Sequence, residues 1–313
     1  MSIEKTTSPD PTLEVKTPVV HARPPLGRVA VVTDSVAQVP PEIAARWGIT
    51  VVPLTITIGE QKYLDGVDLA SAELYRRMRV ENALPTTSAP SLGEYLATFR
   101  ACLSMGAQAV LYVSLSSKLS IGYRVACQAA EMVRAEFPDR AVKVFDSRQV
   151  TISEGFIAMA AARAAAEDKP LATVLERGRA AMAHVGFAAT LETLQYLARG
   201  GRIGKAAHFL GSLIKVKPIL TVDTEGVVAP IGRVRGIDHA LEAIVEYVLQ
   251  CVNGCQALWL AIMEADAPKE AARLRELVLQ RWRPAQIFFS SLTPVMGAHT
   301  GPGLVGLGYY YEP

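Results

Sequence analysis

Three apolar runs, "RVAVVTDS" (28–35), "AQAVLYVSLSS" (107–117) and "AVKVFDS" (141–147), each stop on hydroxyls or a carboxylate and are followed by a helical pattern. Short Val-rich runs of this kind suit strands buried on both faces of a parallel sheet, and the segments between them are long enough for crossover helices. Those helices are expected from about Pro41 to Trp47, from Ser91 to about Met105, from about Ile121 to Glu136, and from Thr151 to about Glu167. Ser91 with Glu94, and Thr151 with Glu154, have the spacing of a capping box. In a parallel sheet the carboxyl ends share one edge, where ligands of such folds bind, so Thr33 to Ser35, Ser114 to Ser117 and Asp146 to Ser147 belong together. "ITVVPLTITI" (49–58) reads as one more strand, and Asp68 as the cap of a helix in "ASAELYRRMRV".

From about residue 181 the rhythm changes. "HVGFAAT" reads as a strand, "ETLQYLARGG" as a helix with a glycine stop, and "PILTVDTEGVVAPIGRVRG" as two strands joined by an Asp-Thr-Glu-Gly turn. A helix (237–250), a strand (256–264), a helix (267–281) and two strands (285–291, 303–311) follow. This is α+β order, and a chain of 313 residues has room for two domains, expected at 28–180 and 181–313. Residues 1–27 are rich in Pro, Thr and charge without the apolar core of a signal peptide, and read as a flexible arm.

A net charge of +2 with dispersed basic residues gives no argument for nucleic acid as a partner. No apolar run approaches the roughly 18 residues of a spanning helix, so no membrane insertion is expected. Four cysteines in so long a chain do not make a disulfide framework, which points to a reduced, cytoplasmic protein. Cys251 and Cys255 stand i, i+4 near a helix end without a third ligand, and helix packing is the simpler reading; no metal and no cofactor are expected. "GPGLVG" (301–306) fits the dinucleotide fingerprint, but too few residues follow for a βαβ unit. "GGRIGKA" lacks the spacing and the hydroxyl of a phosphate loop.

Asp34 and Asp146, at parallel strand ends, could serve as paired carboxylates, or could cap helices and brace turns. His299, in "MGAHTGPG", is flanked by glycines that let backbone approach a ligand. A serine nucleophile needs an oriented base, and no G-x-S-x-G elbow is present. Hydroxyls gathered at a helix start have a simpler use: with the free N–H groups there they bind an anion. A hydrolase or transferase, working on a small acyl substrate with Ser120 or an Asp at the sheet edge, stays open as the alternative.

"VVTDSVAQVP", "LPTTSAPS", "LSSKLS", "FDS", "TLQYLARGGRI", "LIKVKPIL" and "GAHTGPG", in that order and covering nearly everything from residue 28 onward, resemble the DegV family. The resemblance implies an α/β fold of DegV type, an N-terminal α/β/α parallel-sheet domain packed on a C-terminal α+β domain. It implies a non-catalytic, lipid-binding protein that holds one long-chain fatty acid between the domains. Some members are the acyl-carrier subunit of a bacterial fatty acid kinase, so a kinase catalytic subunit is an implied partner. Carried over by motif, the carboxylate-binding residues fall on Thr87, Ser120 and His299, with Ser88, Ser117, Ile121 and Gly122 beside the ligand. Arg202 matches a residue associated with kinase docking. The plain alternatives are turn and N-cap duty for Thr87 and Ser120, and a solvated arginine after a helix stop for Arg202.

One departure stands out. Where the family reads Leu-Ser-Gly-Thr-Tyr, this chain reads "LSIGY", so Ile121 brings bulk to the head-group end and Gly122 removes a hydroxyl. Burial of about fourteen methylenes at about 0.8 kcal/mol each contributes roughly 11 kcal/mol before ordering costs, against about 1–4 kcal/mol from hydroxyls and a helix terminus. The tail then sets affinity and the head group sets orientation.

Overall fold

The computed structural model describes residues 28–210, 216–252 and 254–313. The arm expected over 1–27 and the start of the "LIKVKPIL" motif lie outside the described residues.

The chain opens with β1 (Val29–Asp34), α1 (Pro41–Trp47) and β2 (Thr50–Val52). It then leaves the sheet through β3 (Thr55–Ile58), β4 (Gln61–Leu64), α2 (Ser71–Val80) and β5 (Thr86–Ser88), and returns with α3 (Leu92–Ser104), β6 (Ala109–Ser114), α4 (Gly122–Glu136), β7 (Ala141–Asp146) and α5 (Ile152–Ala166). β2, β1, β6 and β7 form a four-stranded sheet in that order, parallel throughout. Every residue of β1 and β6 is buried, as strands covered on both faces require.

Three local expectations are corrected. The run 49–58 is two strands rather than one: Pro53 has no N–H for a ladder, and the Leu54 N–H turns to Ser35 Oγ at 3.1 Å. β3 then pairs antiparallel with β4 and β5 in a small sheet of its own. Asp68 does not cap α2, whose cap position is Ala70; its carboxylate accepts from the Leu64 N–H at 3.0 Å instead. Thr151 and Glu154 form no capping box. Thr151 sits at φ 57°, outside the extended geometry of a box, and accepts from the Ile152 N–H, while Glu154 turns inward and accepts from the Thr33 hydroxyl at 3.1 Å. Ser91 and Glu94 do form the reciprocal box.

The second half runs α6 (Leu171–Met182), β8 (Val185–Thr190), α7 (Gln195–Arg199), β9 (Val216–Val222), β10 (Val228–Arg235), α8 (Ile237–Cys251), β11 (Ala257–Ala265), α9 (Pro268–Arg281), β12 (Gln286–Ser291), α10 (Pro294–Thr300) and β13 (Leu304–Glu312). β4, β5, α6 and α10 have no counterpart in the sequence reading. β10, β9, β8, β13, β11 and β12 make a six-stranded mixed sheet in that order, with β11 and β12 parallel and the other pairs antiparallel. Strand alternation divides its two faces. Leu258, Leu260 and Ile262 of β11 pack with Leu241 and Ile244 of α8 and Leu274 and Val278 of α9. Ala261, Met263 and Ala265 face the other way, into the core shared with β1 and α5.

The "GPGLVG" glycines serve this packing. A Cβ at Gly301 would strike the Tyr196 ring, one at Gly306 would crowd Ala189, and one at Gly308, two residues on, would strike Ile152 of α5. The fingerprint thus runs from the C-cap of α10 into β13, and its small positions admit neighbouring side chains. The two halves also meet in polar contacts: the Ser116 hydroxyl donates to the Gly226 carbonyl at 2.7 Å, and the Val295 N–H, in the first turn of α10, donates to the buried Asp65 carboxylate at 2.9 Å.

Candidate ligand site

At the carboxyl edge of the parallel sheet, Asp34 and Asp146 are each taken up by separate hydrogen bonds. Asp34 is fully buried and accepts from the Val36 N–H at 3.0 Å, the Tyr112 hydroxyl at 3.0 Å and the Leu115 N–H at 3.2 Å. Asp146 accepts from the N–H groups of Arg148 at 2.9 Å and Ser117 at 3.2 Å. Both brace turns. Burial pushes Asp34 up to about 6, against the pull of its three donors. Burial, followed by the neighbouring Asp34 charge, pushes Glu154 well above the ordinary carboxylate range. With three donors on Asp34, the proton of this pair resides on Glu154.

Past these turns, between the two sheets, lies a cavity of about 580 Å³. Its inner wall takes Val36, Leu54 and Leu115 from the parallel sheet's edge, and Phe187, Ala189, Leu220, Met263 and Leu304 from the inward face of the mixed sheet. All of these are buried and apolar. The threonines on this wall are satisfied within the protein: Thr151 donates to the Met263 sulfur at 2.7 Å and Thr221 to the Phe187 carbonyl at 2.6 Å.

Thr87, Ser88, Ser120, Ile121, Arg202 and His299 all line the same cavity, and all are less buried than the inner wall. Ser117 and Gly122 are not among the lining residues. Gly122 stands behind Ser120, packed so closely under Tyr95 that a Cβ there would lie 2.9 Å from the Tyr95 hydroxyl.

Thr87 Oγ1 lies 2.8 Å from His299 Nε2. His299 rests on Gly200, where a Cβ would collide with Nδ1, and Nδ1 itself is buried without a hydrogen-bond partner among the described residues. Burial, then the Arg202 charge, lowers the His299 pKa to about 4, so the ring is neutral near pH 7. A proton on Nδ1 would be a buried donor with no acceptor, so we assign it to Nε2, from which it points at Thr87. Thr87 then accepts, and its own hydrogen is free to face the cavity. Ser120 Oγ accepts from the Gly122 N–H at 3.1 Å, which leaves its hydrogen free as well. Arg202 is exposed; its Nε donates to the Leu119 carbonyl at 3.0 Å and its Nη1 to the Gly200 carbonyl, so it spans the rim from the turn before α4 to the end of α7.

The inner wall is what sequence reasoning missed. Alternation in β8 and β11 was available as a signal, but it marks a face without showing what that face meets. Among the described residues no helix is long and apolar enough to cross a membrane, and no group of three or more His, Cys, Asp or Glu could hold a metal ion.

The model of the DegV family matches residues 28–312. A DegV domain-containing protein of Halalkalibacterium halodurans, BH3627, is 30% identical over 287 residues, covering 91% of this chain and 99% of its own. Among solved structures, a DegV family protein from Thermus thermophilus described as fatty acid binding superposes with a TM-score of 0.84 at 32% identity, over 91% of this chain and 99% of its own. DegV of Bacillus subtilis, described as a fatty acid binding protein, superposes with a TM-score of 0.82 at 30% identity, over 91% of this chain and all of its own.

Proposed function

The chain belongs to the DegV family, and from that premise we propose that it binds one long-chain fatty acid, with the carboxylate at Thr87 and Ser120 and the tail in the cavity between the sheets. The observation that carries this reading is the division of the cavity: a buried wall of aliphatic, aromatic and thioether side chains inside, and hydroxyls with free hydrogens at the mouth. Such a container rewards a long apolar tail at about 0.8 kcal/mol per methylene and asks little of the head group. The fatty acid binding of the Thermus and Bacillus relatives supports the same reading.

The arrangement favours binding over catalysis. Among the described residues Ser120 has no base hydrogen-bonded to it: His299, the imidazole on the cavity wall, is bonded to Thr87, and the strand-end carboxylates Asp34 and Asp146 accept from backbone turns. As a carrier, the protein would present the fatty acid to a kinase catalytic subunit, with the carboxylate at the mouth and Arg202 on the rim beside it.

The test is extraction of the natively purified protein followed by mass spectrometry. A stoichiometric long-chain fatty acid is expected. No acyl ligand, together with a melting temperature unmoved by added fatty acids, would overturn the proposal. For presentation, Arg202→Ala is expected to keep the fatty acid but to support little acyl phosphate formation by a cognate kinase; unchanged phosphorylation at limiting carrier would remove Arg202 from that role.

A further inference from the structure

The cavity does not end at the hydroxyls. Besides Thr87 and Ser120 it is lined by a shelf, more exposed than the inner wall, of Leu92 at the start of α3, Ile121 at the N-cap of α4, and Val125 and Gln128, which follow Ile121 at i+4 and i+7 on that helix. Ile121 is 57% exposed there, a large apolar side chain in water at the mouth of an apolar pocket. A free acid whose carboxylate sits at Thr87 and Ser120 would leave this shelf bare.

Among the described residues, the polar part of the lining is also built without a dedicated cation. Thr87 and Ser120 are hydroxyls, His299 is neutral near pH 7, and Arg202, the one Lys or Arg among the described residues that line the cavity, has two of its nitrogens engaged by the Leu119 and Gly200 carbonyls. Hydroxyl donors suit an uncharged carbonyl oxygen as well as a carboxylate, whereas a site built for an anion gains most from a paired arginine or lysine.

Resting on the fatty acid reading above, we propose that the site also accepts a long-chain carboxylic ester, with the acyl chain in the inner cavity, the ester carbonyl at Thr87 and Ser120, and the alcohol-side chain lying over Ile121 and Val125. The ligand then carries its polar group between two apolar parts, one for the inner wall and one for the shelf. No bond is made or broken.

The test uses the full chain, stripped of ligand and offered hexadecanoic acid and butyl hexadecanoate from cyclodextrin, with occupancy of each read by native mass spectrometry. Wild type is expected to take up the ester within about threefold of the acid. Ile121→Ser and Val125→Ser, both at incompletely buried positions, are each expected to lower the ratio of ester to acid about tenfold, since each removes apolar contact from the alcohol side. Acid bound with the ester excluded, or a ratio that neither substitution moves, would overturn the proposal and leave the shelf to another occupant. If neither ligand binds, the fatty acid reading itself has failed and this one falls with it.

Discussion

Thr87 on β5 and His299 on α10, 212 residues apart, meet across the mouth of the cavity, with Oγ1 and Nε2 2.8 Å apart. The contact joins the small antiparallel sheet to the helix that follows the mixed sheet's edge strand, and it fixes which way the threonine hydroxyl can donate.

Removing a free hydroxyl from the mouth is expected to weaken fatty acid binding without unfolding the protein. Thr87→Ala and Ser120→Ala should each cost about 0.5–3 kcal/mol of affinity, and the double variant less than the tail contributes. Affinities from native mass spectrometry check this; a double variant that binds like wild type places the head group elsewhere.

His299 gives stability a pH dependence of known sign. Its pKa falls from 6.5 to about 4 on folding, so the native state binds the proton less well than the unfolded one. The associated stability is complete above 6.5, declines as pH falls toward 4, and amounts to up to about 3 kcal/mol. His299→Gln should flatten the wild-type fall in melting temperature over that window. Parallel profiles for the two proteins would mean that the ring titrates as it does in water.

Glu154 works in the opposite direction. An acid raised on folding stabilises fully below its ordinary value of 4.5, and that contribution is lost as pH rises toward the native value. Glu154→Gln keeps the shape and removes the titration, so its melting temperature relative to wild type should climb from pH 4.5 through neutrality. A difference that stays constant with pH would show that Glu154 does not hold its proton in the native state.

Gly200 has ordinary helical torsions, φ −72° and ψ −9°, so alanine suits the backbone there. What alanine meets is the His299 ring. Gly200→Ala is expected to cost about 1–3 kcal/mol through overpacking and to weaken fatty acid binding by displacing the Thr87 partner. In a His299→Ala background the same substitution should cost almost nothing, which a double-mutant cycle on thermal stability measures. Equal costs in both backgrounds would rule out the ring as the obstacle.

What the sequence determined by itself was local. The apolar runs of β1, β6 and β7, the reciprocal Ser91–Glu94 cap and the glycine stop after Arg199 can be read in "RVAVVTDS", "SLGE" and "ARGG", because the interactions that form them lie within a few residues. The ordered motifs also singled out Thr87, Ser120 and His299, which the fold brings to the lining of one cavity. Tertiary structure decided the rest. Glu154 stands at the spacing of a local cap, yet it turned inward once Thr151 left extended geometry and the Thr33 hydroxyl was within reach. Arg202 looked like a solvated or docking residue, and it spans the rim only because the turn before α4 comes close to the end of α7. Phe187 and Met263 were not singled out in the sequence, where nothing shows that their faces of β8 and β11 meet a cavity. A strand's period fixes the direction of a side chain, whereas what stands opposite is set by how two sheets pack, through contacts between residues far apart in the chain.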